Sequence, residues 1–244
     1  MTQLSVNLNK IALLRNSRGR DFPNVVEFAR KFIGLGVPGI TIHPRPDERH
    51  ITRQDAFDLK TALADYPEVE LNIEGYPSDD FLKLIEQVKP HQCTLVPDDP
   101  NQLTSDHGWD FTRHADELDT ILKRIGDAGV RTSVFLDPDP EQVRLAAQSR
   151  ANRIELYTEA YASAHGTDRQ SEVHEQYRAA AALARELGLE LNAGHDLDLD
   201  NLPGFLTIPE ILEVSIGHVL TVECIEMGMP TVVNRYLDIC ANSA

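Results

Sequence analysis

Eight short apolar runs recur along the 244-residue chain, and each is followed by a stretch with the periodicity of an amphipathic helix. The runs cover residues 4–8, 39–43, 69–74, 93–96, 131–136, 153–157, 189–193 and 213–216. Strands that alternate with helices favour a parallel sheet with helical connections. Eight such units in a chain of this length predict a single-domain (β/α)8 barrel over residues 1–244, with extra short helices.

The helix signals fix the spacing of these units. They predict helices at 25–35 and 52–64, a helix to residue 88 that Ser78 caps, one at 115–128, and one to residue 148 that Asp139 caps. Residues 9–24 are expected to form a cationic loop. A doubly wound open sheet is the alternative, but no G-x-G-x-x-G follows the first strand.

The net charge of −16 argues against binding to nucleic acids or anionic membranes, since both require a positive surface. No apolar run reaches membrane-spanning length, and the first residues do not have the pattern of a secretion signal. Cys93, Cys224 and Cys240 are too widely spaced for a metal knuckle and too few for a disulfide framework. A soluble protein of the reducing cytoplasm is therefore expected.

Residues 1–20 differ from this acidic background. They contain Lys10, Arg15, Arg18 and Arg20 and no Asp or Glu. A local cationic patch on an acidic protein indicates a small anionic ligand rather than a polymer, although a chance fluctuation of charge is the alternative.

Polar and titratable residues follow the predicted strands where each strand ends. In a (β/α)8 barrel these ends meet at one mouth, where the catalytic groups of such enzymes lie. The residues are Asn7, His43, Arg45, Glu74, Glu155, the pair Gly194-His195 and the pair Gly217-His218. Of these, His43, Glu74 and His195 suit proton transfer near neutral pH. The two glycine loops suit phosphate, which backbone N–H groups can bind.

Two other functions stay open at this point. A divalent metal could be bound by His43, His50, Glu74, His195 and His218, although neither H-x-H at a strand end nor H-E-x-x-H occurs. That reading predicts a metal-assisted aldolase or isomerase acting on a sugar phosphate. A phosphate sensor built on an inactive barrel is the third possibility. The long polar segment 97–113 could be a lid over the mouth or a surface excursion.

The sequence resembles the pyridoxine 5′-phosphate synthase family over nearly its whole length. The matching segments keep the order and spacing of the family's motifs. They are N-x-N-K-I-A-x-L-R-N-x-R-G from Asn7, G-I-T-I-H-x-R-x-D-x-R-H-I-T from Gly39, N-x-E at Asn72, L-V-P at Leu95, I-E at Ile154, N-A-G-H at Asn192 and I-G-H at Ile216.

The resemblance implies a barrel that assembles into an octamer and needs no metal or organic cofactor. It implies condensation of 1-deoxy-D-xylulose 5-phosphate with 3-amino-2-oxopropyl phosphate to pyridoxine 5′-phosphate, phosphate and water. By matched positions, His43 and Glu74 would be bases, His195 the acid, and Glu155 a stabiliser of the transition state.

The resemblance also implies the substrate-binding residues. Asn7, Arg18 and Gly194 would bind the amino-ketone phosphate. Arg45, His50, Thr104, Gly217 and His218 would bind the deoxyxylulose phosphate. Many members of the family carry Asp-His where this chain has Asn9-Lys10, a pair that is thought to touch the sugar phosphate. Asn9 cannot act as a base, so the resemblance leaves the contacts of these two residues open.

Overall fold

Eight parallel strands close into a barrel in the computed structural model, which describes residues 1–98, 102 and 105–243. Each strand pairs with its neighbours in sequence, and β8 pairs with β1 through Val6 and Ile216. The strands are β1 Gln3–Asn7, β2 Gly39–Ile42, β3 Glu70–Gly75, β4 Gln92–Leu95, β5 Arg131–Leu136, β6 Arg153–Tyr157, β7 Glu190–Gly194 and β8 Ile211–Ile216. The predicted (β/α)8 barrel is confirmed.

Helices follow the strands and surround the barrel. They are α1 Asn9–Asn16, α2 Val25–Gly34, α3 Arg53–Leu63, α4 Asp79–Val88, α5 Phe111–Asp127, α6 Pro140–Ala146, α7 Glu159–Ala164, α8 Gln170–Glu186, α9 Leu202–Phe205, α10 His218–Met227 and α11 Met229–Ala241. None of the helices in the described part of the chain combines the length and apolar character needed to cross a membrane.

Two predicted boundaries were wrong. Residues 9–16 form α1 rather than a loop, and the helix expected to start at residue 115 starts at Phe111. No side chain caps α1, and its Leu13 and Leu14 are exposed, so neither a cap nor an apolar stripe announced it. In α5 the N-cap is Asp110, and Phe111 is fully buried, although polar residues follow it.

Alternate residues of each strand point to the helices or into the barrel. The outward residues, such as Val6, Ile40 and Ile73, join the apolar core between strands and helices. Inside the barrel, many side chains are polar rather than the branched apolar residues usual for this fold. Gln92 of β4, for example, donates a hydrogen bond to Glu213 of β8 across the barrel at 3.2 Å.

The polar interior is hydrogen-bonded, as buried polar groups must be. Thr94 donates to Asn72 Oδ1 at 3.1 Å, and Ser5 and Thr41 share a hydrogen bond of 2.6 Å. These contacts join β3 to β4 and β1 to β2 inside the barrel.

The later part of the predicted lid is attached to the barrel. Trp109 is buried, and its indole N–H donates to the carbonyl of Leu95 at 2.9 Å. Its backbone N–H donates to the carbonyl of Phe135 at 2.8 Å. The part of segment 97–113 from Trp109 onward is therefore fixed, and residues 99–101, 103 and 104 of the predicted lid lie outside the described residues.

Candidate active site

His43 lies immediately after β2, at the carboxyl end of the barrel. The prolines on both sides of Arg45 restrict the backbone of this loop. The His43 backbone N–H donates to Asn9 Oδ1 at 2.9 Å, which joins the loop to the start of α1. The imidazole is buried, with Nδ1 4.0 Å from Glu74 Oε2. Burial, followed by the positive charge of Arg45, lowers the pKa of His43 well below its ordinary value.

Glu74 projects from β3 into the mouth, where it meets residues of β1 and β8. Asn7 Nδ2 donates to Glu74 Oε2 at 3.4 Å, and Ser215 Oγ lies 3.4 Å from Glu74 Oε1. Burial and the negative charge of Asp98 raise the pKa of Glu74 to about 8. The contact with His43 at neutral pH is therefore not an ion pair: a neutral imidazole faces a carboxyl group that is largely protonated.

Glu155 lies deeper, inside β6, and is almost completely buried. Its Oε2 is 3.4 Å from the hydroxyl of Thr94. Burial and then the charge of Glu74 raise its pKa well above the ordinary range. A side chain at Gly194 would place Cβ 2.4 Å from Glu155 Oε1, so the glycine leaves the space that this carboxyl group occupies.

His195 follows β7 and completes the group of acid and base candidates. Its Nδ1 is 2.8 Å from Asp196 Oδ2, and its ring packs edge-on against Tyr157 with 5.1 Å between centroids. The Thr158 hydroxyl lies against the carbonyl oxygens of both Gly194 and His195. His195 is thus attached to β6 on one side and to its own loop on the other.

Arg45 is buried beside Asp98, with which it forms an ion pair. Its Nη1 also donates to the carbonyl of Gln102 at 3.2 Å, as does Arg49 Nη1 at 3.0 Å. Ser105 donates to the same Asp98 oxygen at 2.8 Å. Both arginines therefore join the loop after β2 to the loop after β4.

Cationic and imidazole groups line the rim on the α1 side. Lys10 lies close enough for its charge to act on His50 and Asp196. Burial first, and then the charges of Arg45 and Lys10, lower the pKa of His50 to about 4. His218 is exposed at the start of α10, and its charge also acts on Asp196.

Gly217 brings the start of α10 against β1. A Cβ there would lie 2.9 Å from the Cβ of Asn7, a distance that only glycine allows. Gly217 is the N-cap of α10, and no side chain caps this helix. An uncapped helix N-terminus presents backbone N–H groups to an anion.

Most of the residues predicted for the site form two chains of contacts. One runs from Asn9 through His43, Glu74 and Asn7 to Gly217, and the other from Glu155 through Gly194 to His195. Arg18 is exposed in the turn after α1, outside these chains of contacts among the described residues. Thr104 lies outside the described residues.

Arg15 does not belong to an anion site. It forms a two-pronged ion pair with Asp55, at 2.5 and 2.8 Å, and donates to the carbonyl of His50. Asp55 of α3 therefore neutralises part of the cationic patch of residues 1–20. The sequence did not indicate this pairing.

Sequence reasoning missed Asp98, Asp196 and Ser215. Asp98 and Ser215 reach the site through contacts with residues distant in sequence, so no local pattern marks them. Asp196 was visible next to His195, but the pairing depends on an unusual backbone at both residues. Within residues 1–98, 102 and 105–243, no three His, Cys, Asp or Glu side chains are grouped so that they could hold a metal ion.

Two relatives that are similar in sequence to this chain carry one name. The family model described as Pyridoxal phosphate biosynthesis protein PdxJ matches residues 4–242. The pyridoxine 5′-phosphate synthase of Bacteroides thetaiotaomicron is 51% identical over 237 residues, covering 97% of this chain and 98% of the relative. The enzyme of the same name from Porphyromonas gingivalis is 48% identical over 239 residues, with 98% of each chain covered.

Solved structures of other proteins share the architecture. A mutant tryptophan synthase α-subunit of Pyrococcus furiosus superposes with a TM-score of 0.65 over 98% of this chain and 97% of its own. Its sequence identity is 10%, so this likeness concerns the fold alone.

Proposed function

This chain belongs to the PdxJ family and acts in pyridoxine 5′-phosphate synthesis, and we propose that the barrel mouth around His43, Glu74 and His195 is its active site. The reaction condenses 1-deoxy-D-xylulose 5-phosphate with 3-amino-2-oxopropyl phosphate and releases phosphate and water. The observation that supports the proposal is the 4.0 Å contact between His43, which follows β2, and Glu74 of β3, with His195 following β7 at the same end of the barrel.

Condensation, ring closure and elimination all require protons to move at carbon and oxygen. His43 is suited to the part of a base, because its lowered pKa keeps the imidazole neutral at physiological pH. The raised pKa of Glu74, about 8, lets that carboxyl group exchange a proton near neutrality, and its ionised form is a stronger base than an ordinary carboxylate. His195 is the acid, and Glu155 acts on charge that develops beside Gly194.

Two groups of residues would bind the two phosphorylated substrates. Gly194, with Asn7 and Arg18, holds the amino-ketone phosphate. The deoxyxylulose phosphate is held by residues on the loops after β2, β4 and β8 and at the start of α1. They are Asn9, Lys10, Arg45, His50, Thr104, Gly217 and His218. The uncapped N-terminus of α10 and the charge of Lys10 support an anion on this side of the mouth.

The reaction needs no metal or organic cofactor under this proposal, since each step is an addition, a proton transfer or an elimination. Treatment with a chelator and extensive dialysis should leave the rate unchanged. A rate that falls and is restored by one divalent cation would instead support the metal-assisted aldolase or isomerase.

We propose a homo-octamer in the cytoplasm as the working form. Helices α1 and α10 pack against each other and carry exposed apolar side chains, among them Leu14 and Ile225. These side chains support a contact between copies of the chain. Cys93, Cys224 and Cys240 are free thiols, which suits a reducing compartment. Light scattering should give about eight times the chain mass of 27.3 kDa; a monomer would contradict the assembly.

A direct assay tests the active site. The purified protein is mixed with both substrates, and the product is followed by its absorbance. His43→Ala should lower turnover by ~10²-fold or more, the range that general acid–base catalysis supplies. Asn242→Ala, an exposed change near the end of α11, is the control and should keep full turnover. Product formation that His43→Ala leaves unchanged would place the active site elsewhere.

A further inference from the structure

The side chains of Asp196 and His195 form a hydrogen bond, a contact that the proposed reaction does not by itself require. The two residues are adjacent in sequence, and Asp196 Oδ2 is 2.8 Å from His195 Nδ1. Neighbouring side chains in an extended strand point to opposite faces, so β geometry alone would separate them. Because an ionised carboxylate can only accept hydrogen bonds, Nδ1 is the donor.

The backbone that makes this contact is unusual. His195 has a φ of +86° and Asp196 a φ of +58°, the left-handed region that few residues other than glycine adopt. Two side chains hold the turn. The Thr158 hydroxyl lies 2.7 Å from the carbonyl oxygen of Gly194 and also contacts that of His195, and Asn201 Nδ2 donates to the Asp196 carbonyl at 3.1 Å. Consecutive strained residues beside a reactive imidazole are typical of functional positions.

The charges around Asp196 keep it ionised. Its hydrogen bond with His195 lowers its pKa, and the charges of His195, His218 and Lys10 act in the same direction against the effect of burial. On the β6 side, the ring of Tyr157 packs on His195, and Glu155 lies beneath Gly194. Asp196 is therefore a negative charge in contact with the imidazole at neutral pH.

We propose that Asp196 is a positioning residue that fixes the ring of His195 and favours its protonated form. The inference deepens the proposed function and rests on the role of His195 as the acid. Nδ1–H stays on the imidazole and donates to the carboxylate. The proton on Nε2 passes to the leaving oxygen, the imidazole becomes neutral, and Asp196 remains ionised throughout.

Two substitutions separate this role from a structural one. Asp196→Gly removes the carboxylate but suits the positive φ, so the turn keeps its conformation. Asp196→Asn also tolerates this φ and keeps an acceptor for Nδ1–H, but it has no charge. Glu210→Gly is the matched control. Glu210 also has a positive φ, of +66°, and is a carboxylate paired with Arg185 at the opposite end of β8.

The first measurement is the pKa of His195, obtained from the pH dependence of hydrogen exchange at the imidazole C2 position, followed by mass spectrometry. Loss of an adjacent opposite charge should lower this pKa by about 1 pH unit or more in Asp196→Gly. Asp196→Asn should lower it similarly, and Glu210→Gly should leave it unchanged. An unaltered His195 pKa in both Asp196 variants would overturn the proposal.

The second measurement is the pH profile of turnover. The basic limb of this profile reports the loss of the proton from His195. In Asp196→Gly it should move to lower pH by the same number of pH units as the pKa of His195. Turnover at neutral pH should fall about 10-fold, with little change in KM. Loss of turnover in Asp196→Gly with no movement of the limb would overturn the proposal. If the unmodified protein forms no product, the proposed function fails, while the exchange measurement still decides whether Asp196 acts on His195.

Discussion

The side-chain oxygen of Asn9 accepts a hydrogen bond from the backbone N–H of His43 at 2.9 Å. Asn9 is itself fixed, because its backbone N–H donates to Asn7 Oδ1 at 2.9 Å. Position 9 therefore supplies a hydrogen-bond acceptor, and an amide oxygen serves this purpose as well as a carboxylate does. Asn9 acts on His43 through the backbone, and no basic group is needed for that.

This relationship predicts how the start of α1 responds to substitution. Asn9→Ala leaves the His43 N–H without its acceptor and should lower kcat/KM by ~10-fold or more, since loss of a buried hydrogen-bond partner costs about 1–3 kcal/mol. Asn9→Asp keeps the acceptor and should stay within a few-fold of the unmodified protein. Steady-state kinetics at neutral pH measure both. Equal losses in the two variants would mean that the acceptor is not the important property.

Glu74 gives a prediction about pH. If its ionised form is a base, activity depends on loss of its proton, and the raised pKa of about 8 places that loss just above neutrality. The profile of kcat/KM should therefore contain a rising limb at about pH 8 that belongs to Glu74, in addition to the falling basic limb of the acid His195. Because the pKa of His43 is lowered well below its ordinary value, its neutral base form is already present in the acidic range. His43 therefore adds no limb near pH 7.

Glu74→Gln provides the control for this profile. The variant keeps the size of the side chain and should show low activity without the limb near pH 8. If the kcat/KM profile of Glu74→Gln kept a limb near pH 8, that limb would have to come from another group. A falling limb near pH 8 that is present in the unmodified protein and absent in Glu74→Gln would identify Glu74 as an acid instead of a base.

The sequence predicted the strands and the members of the site better than it predicted their partners. The limits of β5 and β6 agree with the prediction, because Gly129 and Asn152 end the preceding segments and each apolar run is short. Helix α1 was missed because its first turn has no side-chain cap and its exposed face carries Leu13 and Leu14. Local patterns therefore located elements that carry their own start and stop signals.

Contacts between distant segments were the part that sequence reasoning could not supply. Arg45 was predicted as a cation for phosphate, but its ion pair with Asp98 depends on two loops that meet only when β2 and β4 close into the same barrel. Similarly, the raised pKa of Glu155 depends on Glu74, which lies three strands away. Burial and nonlocal charge determine these properties, and neither has a local signature.

Glu155 gives a prediction in which activity and stability change in opposite directions. Its folded-state pKa is raised by burial, so its protonated form contributes stability that is fully present at low pH and is lost as pH rises through the folded pKa. Glu155→Gln has no proton to lose. The variant should match the unmodified protein near pH 4 and exceed it in stability at pH 9, while its turnover falls.

Thermal unfolding at pH 4, 7 and 9 measures this effect. Glu159→Gln, a change in the neighbouring α7, is the control. Its stability relative to the unmodified protein should not increase with pH. A Glu155→Gln variant that is less stable than the unmodified protein at pH 9 would mean that the carboxylate is stabilised by contacts stronger than its burial penalty.

The pair of Arg15 and Asp55 gives a prediction about stability alone. Both side chains are about nine-tenths buried, and Asp55 also accepts from the N–H and hydroxyl of Thr52 at the start of α3. Arg15→Ala leaves Asp55 without its ion partner and should lower the free energy of unfolding by about 2–4 kcal/mol. Arg30→Ala breaks the exposed pair with Glu27 and should cost under about 0.5 kcal/mol. Urea unfolding of both variants measures the difference. Similar small losses would show that Arg15 carries little of the attachment of α1 to α3, and the residue could then be reconsidered as part of the anion site.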